Sequence, residues 1–127
     1  MLKHSSGPEK ISDEDRLFRR IHPKWIKPEG ISSAAFKQRP LDLSVNIARL
    51  TTPQKVLLNY SNYGIGIITG GFFRNLKLVI YHAPEPDNYA HAIVFGKITA
   101  AIAKSIARSA KLLRYMEVIS PVLPEGQ

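Results

Sequence analysis

The sequence predicts an α+β fold: a small mixed β-sheet of four to five strands, with a long C-terminal amphipathic helix packed on one face. Three observations lead there. Short runs with period-2 apolar alternation recur between turns rich in Gly and Pro. The stretch from about Lys97 to Met116 follows the helical period instead. A chain of 127 residues, 44% apolar, can bury a core without a disulfide or structural metal.

The elements follow in order. Residues 1–11 read as a disordered lead, 12–118 as one domain and 119–127 as a flexible tail marked by Pro121 and Pro124. Ser12, with Asp15 three residues on, resembles a helix start. Glu14–Ile21 then reads as two helical turns or, through Leu17–Ile21, as a strand that Pro23 stops. His22–Gly30 is a loop pinned by Trp25 and Ile26, and Ser32–Phe36 fits either state. Leu41, Leu43, Val45 and Ile47 alternate with polar or small neighbours as a half-buried strand. Thr52-Pro53 opens a short helix running to about Asn59. Gly64–Thr69, Leu76–His82 and Ala90–Phe95 read as strands, with a helical turn at Gly71–Asn75 and a rigid loop at Ala83–Asn88. In the last helix Ile98, Ile102, Ile106, Ala110, Leu113 and Met116 share one side. Lys97, Lys104, Arg108 and Lys111 share the other, within a sector of about 60°. The apolar stripe is expected to lie on Val79, Ile93 and Ile67.

Charge narrows the function. Eighteen Lys and Arg against ten Asp and Glu give +8. Leu43–Pro84 and Asn88–Met116 contain no carboxylate at all. A one-signed body suits an anionic partner, either nucleic acid (RNA or DNA) or an acidic protein. The expected role is a nucleic-acid-binding or ribonucleoprotein-associated module, with Lys97, Lys104, Arg108, Lys111 and Arg114 on phosphates. A solvated helix face is the plain alternative, although such faces often place Glu four residues from Lys and this one does not.

Other chemistries are narrower. No cysteine is present, which excludes disulfides, thiol catalysis and Cys-ligated metals. No apolar run is long enough to span a membrane, and the polar start lacks a secretory signal, so cytoplasmic residence without a membrane partner is expected. His82 ends one strand and His91 starts the next. With Lys97 they suggest the acid, base and cation of a metal-independent ribonuclease, against the commoner use of histidines in structure. His82, His91 and Asp87 have no recognised zinc spacing, and the carboxylates are too scattered for two-metal catalysis, so neither metal nor cofactor is expected. Phe95-Gly96-Lys97-Ile98-Thr99 could hold a phosphate at a helix start but lacks the first glycine of a phosphate-binding loop. Phe72-Phe73-Arg74, Tyr60–Tyr63 and Trp25 could stack on unpaired bases or simply pack.

Two resemblances add to this. Leu17–Ile21 with its Arg pair, then Ser32-Ser33, loosely resembles the first two strands of ADP-ribosyltransferase-type folds, which grip NAD. The catalytic Glu of that pattern has no counterpart before Glu117. Leu-Phe-Arg-Arg-Ile-His-Pro (17–23), Ser-Ser-Ala-Ala-Phe (32–36), Leu-Ser-Val (43–45), Leu-Thr-Thr-Pro (50–53) and His-Ala-Ile-Val-Phe-Gly-Lys (91–97) resemble a group of short bacterial proteins without an assigned activity. That resemblance spans about residues 15–113, implies a complete domain and supplies no catalytic residue.

Overall fold

The structure, a computed structural model, describes residues 7–37 and 42–120. Residues 1–6 of the expected lead, Leu41 of the expected strand and 121–127 of the expected tail lie outside the described residues.

The frame is a six-stranded sheet built from β1 (Arg16–Ile21), β4 (Asp42–Ile47), β5 (Gly64–Thr69), β6 (Val79–His82), β7 (His91–Phe95) and β8 (Lys111–Leu113). Between β1 and β4 the chain makes a small ribbon of β2 (Ile26–Lys27) and β3 (Gly30–Ile31). The sheet order is β6-β7-β4-β1-β5-β8, and every pairing in it is antiparallel. The expected mixed sheet of four to five strands is therefore corrected to six antiparallel strands. One added strand is Arg16–Ile21. Ser12–Asp15 forms only a turn, in which the Asp15 carboxylate accepts from the Ser12 N–H at 2.8 Å, and the chain extends directly afterwards.

Among the described residues, four short α-helices complete the fold: α1 (Pro53–Val56), α2 (Gly70–Asn75), α3 (Ala100–Ser109) and α4 (Tyr115–Ile119). Local chemistry sets their starts. The hydroxyls of Thr52, Thr69 and Thr99 each accept a backbone N–H three residues on, the N-cap bond that satisfies a free helix donor. Asn59, at φ 70, stands beyond the end of α1, which is shorter than expected.

The long C-terminal helix is the second correction. The helix begins after Thr99 rather than at Lys97 and stops at Ser109. Ala110 turns to extended geometry, φ −68 and ψ 137. Lys111–Leu113 then pairs with Ile65–Ile67 of β5, and a separate helix starts at Tyr115. The apolar spacing of 98–116 fits a helix, and no Gly or Pro breaks it. Ladder bonds along the open edge of β5 outweigh that local preference, because exposed strand edges leave unpaired N–H and C=O groups.

Strand parity sorts the core into two faces. On the first, Leu17, Ile21, Leu43, Val45, Ile47, Ile68, Ile80 and Val94 pack with Phe36, Phe73 of α2, and Ala103 and Ile106 of α3. On the second, Phe18 and Ile65 pack with Val56, Leu57 and Val118 around α1 and α4, while Tyr81, Ala83 and Ile93 form a smaller cluster. The helical stripe thus packs on the face opposite Ile67 and Ile93. Val79, its third expected neighbour, is 57% exposed. The error follows from parity: Ile80 and Val94 point to the helix, so Val79 and Ile93 point away.

Residues from Gly7 to Ile11, read from sequence as part of a free lead, lie against the sheet. The Gly7 N–H donates to the His82 carbonyl at 2.6 Å, and Ile11 joins the first-face core. Arg49 clamps this strap, reaching Glu9, Asp15 and the Lys10 carbonyl. Arg74 does the same with Asp13 and the Ile11 carbonyl.

Candidate functional site

The two histidines are not brought together. His82 pairs across the ladder with Ala92, so it shares the first face with Ile80; His91 pairs with Asn46 and shares the second face with Ile93. His82 is 1% exposed. Its Nδ1 accepts the Glu9 N–H at 3.2 Å, which leaves Nε2 to donate to the Tyr89 carbonyl at 2.7 Å. Both ring nitrogens are thereby occupied in holding the strap and the β6–β7 loop. His91 Nδ1 donates to the Ala83 carbonyl at 2.7 Å, and its Nε2 stands 4.0 Å from a Glu85 carboxylate oxygen.

The five expected phosphate contacts fall on different elements. Lys97 is exposed in the loop before α3; Gly96, at φ 145, makes that turn tightly against Leu78. Lys104 and Arg108 stand one turn apart on the exposed side of α3, and Lys111 is exposed on β8. Arg114 precedes α4 and donates to the Lys27 and Pro28 carbonyls at 3.0 and 3.1 Å. Among the described residues, Lys97, Lys104, Arg108 and Lys111 make no ion pair. By contrast, Arg49 is spent on Glu9 and Asp15 at 3.0 Å each, and Arg74 on Asp13 at 2.7 Å.

Arg19 and Ser32, one residue from each pair noted in the sequence, hold the local structure. Arg19 points into the first face, where its guanidinium donates to the Ala35 and Ser44 carbonyls at 3.0 Å each and lies 6.0 Å from the Phe36 ring centroid. Burial lowers its pKa to about 10. The Ser32 hydroxyl caps the turn Ser33–Phe36. Trp25 is half-buried against the first-face core, with the Lys24 ammonium 5.0 Å from its ring.

A concave site was not legible in the sequence. On the second face a cleft of about 870 Å³ opens between α1 with its following turn and the β6–β7 loop. Arg20, Lys55 and Tyr60 line one wall; Glu85, Asp87 and Tyr89 line the other. Asn46 and Asn88 also line it, and Asn88 Nδ2 donates to Asn46 Oδ1 at 2.7 Å. The Arg20 guanidinium lies 4.1 Å from the Tyr60 ring centroid and donates to the Val56 carbonyl at 3.3 Å. Glu85 and Asn88 exchange both backbone bonds, which closes Pro86-Asp87 into a tight turn and fixes the acidic wall. The cleft's residues come from four separated segments, so no sequence spacing announces it. Its one local signal is Asn46, a polar residue flanked by Val45 and Ile47 that proves 5% exposed.

Among the described residues no cluster of three or more His, Asp or Glu is placed to hold a metal ion, and no helix is long and apolar enough to cross a membrane. Compared with known protein families, curated proteins and solved structures, the chain matches none significantly.

Proposed function

We propose that the protein binds nucleic acid through its phosphate backbone. Lys104 and Arg108 of α3 and Lys111 of β8 make the contacts, with Lys97 and Arg114 adding positive charge. The observation that carries this reading is the lack of a carboxylate partner at Lys104, Arg108 and Lys111, in a stretch of sequence without acids, whereas Arg49 and Arg74 are drawn into ion pairs with Glu9, Asp15 and Asp13. Each phosphate neutralised by such a cation releases counterions, so binding is strong at low salt and weakens steeply as salt rises. Phosphate contacts set position and carry no base information. Little sequence preference is therefore expected from these contacts.

Fluorescence anisotropy with generic DNA and RNA at about 50 and about 200 mM salt tests the reading. The expected result is salt-sensitive binding that is lost in the Lys104→Glu, Arg108→Glu, Lys111→Glu variant, with its circular dichroism unchanged. No binding at the lower salt, or undiminished binding by the triple variant, overturns it.

A further inference from the structure

We infer that the cleft between α1 and the β6–β7 loop is a binding site for a single nucleotide unit, a phosphate joined to a planar nitrogenous base. Parity places it on the opposite sheet face from α3, so it goes beyond the phosphate-tracking surface and stands apart from it.

Size and polarity come first. At about 870 Å³ the cleft lies in the range of small-molecule sites. Cations, carboxylates and amides line it, which disfavours a purely apolar guest. Charge then narrows the guest further. Arg20 and Lys55 stand on one wall, Glu85 and Asp87 on the other. A simple polyanion is repelled by the acidic wall, and a simple cation by the basic one. A ligand that satisfies both has an anionic end and a neutral end rich in N–H donors. A nucleotide has that form: its phosphate suits guanidinium and ammonium groups, and exocyclic base amines donate to carboxylates.

The polar groups are also held in place. Arg20 stacks on Tyr60 and spends one N–H on Val56, leaving other donors for phosphate oxygens. The bond between Asn88 and Asn46 fixes both amides and leaves the Asn46 amino group and the Asn88 side-chain carbonyl unspent by that bond, on two residues that line the cleft. Side-chain amides of this kind match the paired donor and acceptor edges of unpaired bases. The rim supplies flat apolar surface. Leu58, Tyr60 and Tyr89 are 67%, 37% and 49% exposed, and all three line this cleft. Exposed aromatics beside cations provide stacking surface for a base.

Isothermal titration of the full chain with each 5′-mononucleotide tests the assignment, with the matching nucleosides and inorganic phosphate as partial ligands. At least one mononucleotide is expected to bind one-to-one, and nucleoside or phosphate alone to bind at least about tenfold more weakly. Arg20→Lys, which keeps the charge but loses the paired guanidinium donors, and Lys55→Ala, which removes a charge-assisted contact, should each weaken binding about tenfold. Asp87→Asn should change the order of base preference. The Lys104→Glu, Arg108→Glu, Lys111→Glu variant should bind the mononucleotide like the parent chain, so loss of strand binding on α3 and loss of this site read out separately. Displacement of the mononucleotide by a short single strand assigns the cleft to unpaired nucleotides within a chain; failure to displace it assigns free nucleotides. Either result supports the site. No one-to-one binding by a folded chain, phosphate alone binding as well as the nucleotide, or undiminished binding by both Arg20→Lys and Lys55→Ala overturns it.

Discussion

The two faces of the sheet are built on different terms. The first is closed: apolar side chains from five of the six strands meet α2, α3 and the Ser33–Phe36 turn, and Phe36, Phe73 and Ile106 are fully buried there. The second is covered by α1 and α4 over Phe18 and Ile65, then interrupted by Arg20, Asn46 and His91 before the Tyr81–Ile93 cluster. A protein gains stability by continuing an apolar face, since each buried polar group needs a partner to offset its desolvation. The polar residues of the first face, Arg19 and His82, are spent on backbone groups, whereas Arg20 and Asn46 of the second line a cleft, and that marks the side on which binding chemistry is expected.

Substitutions can break or sharpen this contrast. The largest effect is expected on the closed face: Phe73→Ala should cost about 3–5 kcal/mol in denaturant unfolding, and Tyr60→Ala on the cleft rim under about 1 kcal/mol. Equal losses would mean that the faces do not differ in this way. His82→Ala comes next, at about 2–4 kcal/mol, because it creates a cavity and unpairs Glu9 N–H and the Tyr89 carbonyl. Gly7→Ala should cost about 1–2 kcal/mol, since an added Cβ would collide with His82 Nδ1. Hydrogen exchange should localise that change to the strap and the β6–β7 loop.

The smallest effect is on pH dependence. The Arg49 guanidinium and then the Tyr89 hydroxyl hold the Glu9 carboxyl below its ordinary 4.5. A depressed carboxyl stabilises the folded state above that value, and the contribution fades as pH falls through the lowered pKa. The bond to Glu9 raises Tyr89 above its ordinary 10.0, so its contribution holds below 10.0 and fades as pH rises through the raised pKa. NMR titration of Glu9 and ultraviolet titration of the tyrosines should show these two displacements, and Arg49→Ala should reduce the first.

Much of the strand framework was legible because alternation and turn residues are local signals. Gly64–Thr69 and Ala90–Phe95 stand close to where Ile65-Gly66-Ile67 and His-Ala-Ile-Val-Phe placed them. The end of the last helix was not. Ala110–Met116 carries good helix formers, and what makes Lys111–Leu113 a strand is a partner some forty residues upstream. The basic stripe was half legible for the same reason: Lys104 and Arg108 share α3, but Lys111 and Arg114 left the helix with the broken period. Proximity in sequence also misled for His82 and His91, because a tight turn returns the chain in a register that sends the two rings to opposite faces. The cleft depends on four segments meeting, and no single window records that.

The late pairing of β8 has a consequence for biogenesis. During synthesis β5 emerges 42 residues before Lys111, counting from Thr69. At common elongation rates that is about two to eight seconds. Throughout that interval Gly64-Ile65-Gly66-Ile67-Ile68 presents an unguarded edge, apolar and free of charge, which is the kind that neighbouring chains add to. A chain that stalls or is truncated before Leu113 should therefore be sticky rather than merely unstable, and holding chaperones would matter most over that stretch of translation.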